Sequence, residues 1–188
     1  DALPICVDAL LGTDMERVCR KAEEYAKIPV KPCYMYALTR EGRKPPMVHV
    51  RQSIYSLLEP KKKKGNVVNL LGYFSPIIDD CELYDLLHGA GVKTIHEISR
   101  CKDYEEYQTM AESNFNLVLH PEARFAAEDF HDRLKIPYIE LRRLYQIDKI
   151  GSQYRAFGAA LGIEFDDEKP RKEAEDAVAK FKEAHPDA

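Results

Sequence analysis

Few residues in this chain are of a type and spacing that do chemistry. There are five cysteines, Cys6, Cys19, Cys33, Cys81 and Cys101, and none stands in a CxxC or zinc-finger spacing. An odd count in a chain of this size does not suggest a disulfide framework. Cys19 and Cys81 fall within helical segments and read as packing residues. Cys6 and Cys33 fall at or near the ends of extended segments, where a thiolate can project toward a ligand. His49, His88, His131 and His185 lie on helical segments and read as surface residues, while His96 reads as a partly buried strand residue. No Walker A loop and no GxGxxG follows any of the strands, and neither GxSxG nor HExxH occurs. Residue types alone therefore name no reaction.

Any active groups must be positioned by four strand–helix units in succession. Residues 66–73, 92–98, 115–119 and 137–141 read as strands, each followed by a helical segment. Such alternation predicts an α/β fold, a Rossmann-like parallel sheet with helices on both faces. Sheets of this kind bind ligands at the carboxyl ends of their strands. Those ends are residues 72–80, 99–103, 120–124 and 142–148.

The expected helices are 81–89, capped by Asp80, then 103–112, 122–134 and 148–161 closed by Gly162. Upstream, residues 2–9 and 28–36 read as strands. Between them a helix starts at a Thr13/Glu16 capping box, with Met15, Val18, Cys19, Ala22 and Ala26 as its apolar stripe. Residues 48–58 read as a helix with Val50, Ile54, Leu57 and Leu58 facing inward. Residues 59–65 form the clearest internal boundary. Residues 170–184 read as a charged helix whose narrow stripe of Ala174, Ala177, Val178 and Phe181 needs a partner surface.

Composition excludes some roles. The 188 residues carry a formal net charge of −4, which argues against a general nucleic-acid binder. The basic run at residues 61–64 reads as a solvated linker. No apolar run approaches a membrane span and no signal peptide opens the chain, so the expected setting is cytoplasmic, with no membrane partner. A start at Asp1, almost directly inside an apolar extended run, suggests a piece of something longer.

The order of short motifs resembles the nitrogenase component 1 family. Residues 6–16, Cys-Val-Asp-Ala-Leu-Leu-Gly-Thr-Asp-Met-Glu, resemble that family's C-x-x-x-L-I-G-D-D-I-E, and Pro29-Val30-Lys31-Pro32-Cys33 resembles its P-V-x-C strand. Leu71-Gly72-Tyr73, Asp79, Leu86-Leu87 and Gly91-Val92 follow its strand–loop–helix. Asn116-Leu117-Val118 and Ile136-Pro137-Tyr138 match its N-L-V and I-P-W landmarks. Residues 148–161 resemble the segment after its G-P-T-K. The similarity is greatest to the alpha subunit and its scaffold counterpart.

The resemblance implies an anaerobic electron-transfer system. In it, an ATP-dependent iron–sulfur reductase passes electrons to a heteromer of two component 1 subunits, and these reduce a substrate at a metal or organic site between three Rossmann-like domains. Residues 1–60 would then be part of a first α/β domain, 61–65 a linker, 66–165 the second domain, and 166–188 a helix leading to a third domain. The implied function is that of a fragment of a nitrogenase-like oxidoreductase subunit. The alternatives are a non-catalytic scaffold for metallocofactor assembly and a structural module whose metal sites are lost.

Cys6 falls on the position of a family cysteine that ligates an iron–sulfur cluster at the subunit interface. The resemblance thus implies a cluster in the full-length complex and none in this chain alone. At the family's cofactor-binding N-L-V-H-C-Y-R-S, this sequence reads Asn116-Leu117-Val118-Leu119-His120-Pro121-Glu122, and His120 stands in the cysteine's place. Histidine can ligate iron, but it is neutral and harder than a thiolate. Arg124, one turn on, is expected to face the same cleft with His120 as a cofactor-binding residue. The family's S-G-D-G loop is replaced by residues 99–103 and its S-x-G-H-H region by residues 43–49. These departures argue against authentic nitrogen reduction and a molybdenum–iron cofactor. They leave open a different substrate, a different metal centre or an assembly role.

The Cys6 assignment is directly testable. Cys6→Ala in the full-length heteromer is expected to abolish iron–sulfur absorbance, and an unchanged cluster content would refute it.

Overall fold

A computed structural model of the chain describes residues 12–34 and 45–186. The expected strand at residues 2–9, and Cys6 with it, lies outside the described residues.

The sheet is the one the alternation predicts. Strands β1 (Val67–Leu71), β2 (Thr94–Glu97), β3 (Phe115–Val118) and β4 (Tyr138–Glu140) are all parallel, in the order β2-β1-β3-β4. The chain moves outward from β1 to β2, then returns to β1's other edge for β3. The strand order therefore reverses between β1 and β3, the place where such sheets open a crevice.

Helices cover both faces. One face packs Leu71 and Val118 against Tyr55, Tyr107, Met110, Phe130 and Leu134. These come from α2 (Pro46–Tyr55), α4 (Tyr104–Thr109) with the 3₁₀ turn that follows it, and α5 (Arg124–Leu134). Tyr55 and Phe130 meet edge to face, their ring centres 5.1 Å apart. The opposite face packs Val68, Leu70 and Leu117 against Leu87 of α3 (Glu82–Gly89) and Phe157 of α6 (Ile147–Leu161). Alternate residues of β1 and β3 thus feed two separate cores, as the strand period requires. This α/β Rossmann-like architecture agrees with the sequence reading.

Polar residues interrupt the first core at one level. Asn69 and Asn116 face each other in register across β1 and β3, both fully buried. Asn69 Nδ2 donates to Asn116 Oδ1 at 2.8 Å and to the Met110 carbonyl at 3.0 Å, and Ser113 Oγ donates to Asn69 Oδ1 at 2.7 Å.

Several local expectations change. Helix α1 (Met15–Ala26) is capped by Asp14, whose Oδ1 accepts from the Arg17 N–H at 3.0 Å, so the cap sits one residue beyond Thr13. Residues 28–34 form no strand. Pro29 and Pro32 cannot donate to a ladder, and the segment is instead held to α2 by Ser53 Oγ donating to the Pro32 carbonyl at 3.2 Å.

Helix α2 begins at Pro46, whose fixed φ suits a first turn. It buries Val48, Arg51 and Tyr55, with Leu58 just beyond, while Ile54 and Leu57 of the expected face pack half-buried against the same core and Val50 is not part of it. The phase differs because the Tyr55 ring fills the core beside Phe130 and Arg51 reaches Glu122 at 3.6 Å. Helix α3 starts at Glu82 with no side-chain cap, so Asp80 does not serve as one. Asp103 does cap α4, accepting from the Glu106 N–H at 2.8 Å.

Residues 61–64 run along the end of α4. Lys63 Nζ donates to the Ala111 carbonyl at 2.7 Å and Lys64 pairs with Glu112 at 2.5 Å. Helix α7 (Glu168–Ala184) buries no residue and meets α6 through the Arg171–Asp148 and Arg155–Asp167 pairs. No helix among the described residues is long and apolar enough to cross a membrane.

Asn69→Leu strands the Ser113 hydroxyl, the Asn116 amide oxygen and the Met110 carbonyl in the core at once. Urea unfolding is expected to show a loss of about 2–4 kcal/mol. A midpoint equal to that of the unaltered chain would show that the amide cluster contributes nothing.

Candidate functional site at the strand ends

A cleft of about 500 Å³ opens where the carboxyl ends of β1, β3 and β4 meet. Among the described residues its wall is formed by Tyr73, Val118, Leu119, His120, Pro121, Glu140, Leu141, Arg142 and Arg143. It lies on the β1/β3 side of the strand reversal, as the topology requires.

Gly72 shapes the floor. A Cβ at this position would lie 3.0 Å from the His120 backbone nitrogen and 3.2 Å from the Cβ atoms of His120 and Leu119. The absence of a side chain lets the ends of β1 and β3 approach and brings Tyr73 beside His120. The two rings meet edge to face, with centres 5.7 Å apart.

His120 is fixed by local backbone chemistry. It precedes a 3₁₀ turn, Pro121–Ala123, that leads into α5, and its Nδ1 accepts the Glu122 N–H at 3.3 Å. An acceptor Nδ1 must be unprotonated, so the neutral ring carries its hydrogen on Nε2. His120 therefore presents a donor, not a lone pair, through its second nitrogen.

Glu140 is the one carboxylate on the described cleft wall, and both its oxygens are engaged. Oε1 pairs with Arg124 Nε at 3.2 Å, and Oε2 accepts from Arg142 Nη2 at 3.1 Å and Nε at 3.3 Å. Arg124 also pairs with Glu128 at 3.1 Å. Glu140 first, then Glu128, push the Arg124 guanidinium above its ordinary range. Arg124 thus stands beside the cleft as a partner of Glu140 and is not part of the wall. Arg142 is held at its backbone too: its N–H donates to Gln153 Oε1 at 2.7 Å, and Gln153 Nε2 donates to its carbonyl at 3.0 Å. Arg143 makes no hydrogen bond or ion pair with the described residues.

The loop after β1 is tied down by a buried carboxylate. Glu97, at the end of β2, accepts from the Ile77 N–H at 3.0 Å, from Arg100 Nε at 2.9 Å and from the Tyr84 hydroxyl. Arg100 continues to Asp79 and to the Ile77 carbonyl, each at 2.6 Å. Burial and the bond to Glu97 push the Tyr84 hydroxyl up to about 12. Residues 99–103 thus supply a structural clamp in Arg100. The neighbouring Cys101 thiol donates to the Glu97 carbonyl and is pushed up to about 11 by burial, with Glu106 and Asp103 adding to the effect.

A family model described as nitrogenase component 1 type oxidoreductase matches residues 3–188. The chain belongs to the nitrogenase component 1 family. It is also 25% identical over 161 residues to a Nostoc protein named nitrogenase iron-molybdenum cofactor biosynthesis protein NifE. That match covers 84% of this chain and 33% of the Nostoc protein, so the chain spans about a third of its relative's length. Members of this family generally bind iron–sulfur clusters and form multi-subunit complexes.

An iron centre anchored through His120 would cost the Glu122 cap. Ligation through Nδ1 displaces the Glu122 N–H directly, and ligation through Nε2 moves the ring hydrogen to Nδ1, which then cannot accept. No group of three or more potential metal ligands occurs among the described residues. Cys33 is exposed on the segment before α2.

The sequence reading named His120 and Arg124, and its strand ends 72–80 and 142–148 contain Tyr73, Arg142 and Arg143, but it did not single these three out or name Glu140. The available signal was two adjacent arginines directly after a strand in an acidic chain.

Gly72→Ala is expected to force the ends of β1 and β3 apart. The His120 ring resonances should shift and stability should fall by about 1–2 kcal/mol. Unchanged His120 resonances would show that the close approach does not position the ring.

Proposed function

We propose that this chain is part of a component 1-type subunit that holds a metallocofactor precursor for assembly, with the cleft at the ends of β1, β3 and β4 as its holding site. The observation that carries this reading is the state of His120. The residue that the sequence resemblance sets at the family's cofactor-anchoring position is engaged in capping the turn into α5, so a metal bond through its ring would break that cap. A site without a strong covalent anchor suits a group that must be accepted and then released. The similarity to a protein named for cofactor biosynthesis supports the same reading.

In this reading the subunit works with a second component 1 subunit. An iron–sulfur cluster at their seam would use Cys6 as one ligand, its thiolate suiting iron. The cleft's own residues bind and orient: Glu140 keeps Arg124 and Arg142 in place, and Gly72 sets the depth of the floor.

The second reading is a reductase that takes electrons from an ATP-dependent iron–sulfur partner. It draws on the oxidoreductase description of the matching family. The two are separated with the full-length protein, its partner subunit and the reductase, purified anaerobically. The holding role predicts stoichiometric transfer of bound iron to an acceptor protein without sustained turnover. Sustained turnover that depends on reductant and ATP would overturn it in favour of the reductase.

A further inference from the structure

The cleft's polar groups are unevenly spent. The one carboxylate among its described residues, Glu140, is satisfied on both oxygens by Arg124 and Arg142. Two arginines face one glutamate on its wall, in a chain whose formal net charge is −4. The charge of the cleft therefore opposes that of the chain. Arg143 has no partner among the described residues, and the capping of Glu122 leaves the His120 Nε2–H directed away from its own backbone. Both residues carry N–H donors, and both line the same cavity. A guanidinium offers a fork of N–H groups that matches paired oxygens, and a single N–H beside it can complete the contact.

We propose that the cleft takes the oxoanion group of its ligand, a carboxylate, phosphate or sulfate, between the Nε2–H of His120 and the guanidinium of Arg143. This rests on the cleft being the holding site proposed above, and it names the chemistry that the site recognises. It also gives Glu140 a second role. By gripping Arg142, Glu140 withholds one guanidinium from the cavity and sets how tightly the anion is held.

The test is a titration of the chain with inorganic phosphate at neutral pH, followed by side-chain nitrogen NMR of His120 and Arg143. The expected result is an Nε2–H tautomer at His120 and signals of both residues that move together to saturation. Arg143→Gln, at an exposed site, should weaken binding by roughly tenfold or more while leaving the thermal midpoint unchanged. His120→Ser keeps an N-cap oxygen but removes the ring donor, and it should weaken binding as well. Glu140→Gln should tighten binding by releasing Arg142. Parallel titrations with sulfate and acetate show which oxoanion is preferred.

Saturation by none of the three anions overturns the proposal. So does an Nδ1–H tautomer at His120, or an Arg143→Gln variant that binds like the unaltered chain. Anion binding that persists while the full-length protein transfers no iron overturns the holding role and leaves this inference standing. Iron transfer without anion binding does the reverse.

Discussion

The pair of buried amides at the centre of the sheet is the constraint on which the rest depends. Asn69 and Asn116 face each other across the middle strands, with Ser113 and the Met110 carbonyl closing the cluster. Parallel strands of apolar residues pair almost equally well in neighbouring registers, and a slip of one residue turns every side chain to the opposite face. A buried amide opposite a leucine would lose its partner, so the polar pair selects one register. Asn116 Nδ2 has no partner among the described residues. The cluster is therefore bought at some cost in stability and returns uniqueness of alignment.

The alignment has consequences three residues further on. With Asn69 opposite Asn116, Leu71 pairs with Val118 and Gly72 lies against His120. The β3 segment then leaves the sheet at a point where the His120 ring can cap the turn into α5. The cap fixes which ring nitrogen carries hydrogen, and that decides whether the cleft offers a metal anchor or a donor. A choice made in the core is thus expressed as chemistry at the strand ends. Around it, Glu97 with Arg100 ties down the β1–α3 loop, and Gln153 holds the backbone of Arg142. These contacts hold the loop after β1 and the Arg142 backbone in place before any ligand arrives, which lowers the ordering cost of binding.

The fold was legible because its signals are local. The two central strands are short apolar runs, the outer two are short extended segments around an isoleucine, and the covering helices show stripes such as Ala126, Phe130 and Leu134 on α5. The amide pair also shows in the sequence as a lone asparagine within each of two apolar strands, at Val-Val-Asn-Leu-Leu and Phe-Asn-Leu-Val. Other features depend on groups far apart in the chain. The α2 face could not be phased without knowing that Arg51 meets Glu122, 71 residues later. Residues 28–34 looked extended by composition, but Pro29 and Pro32 break the donor row that a ladder requires. At the site, a family motif pointed to His120. Nothing in the sequence showed that Arg124 and Arg142 would share Glu140, because that pairing exists only once α5 and β4 lie side by side.

The most direct test of the whole account is an experimental structure of the full-length protein with its resident ligand in place. The account predicts His120 Nδ1 still accepting the Glu122 N–H, and an oxoanion of the ligand facing Arg143. An iron–nitrogen bond at His120, with the cap opened, would contradict it.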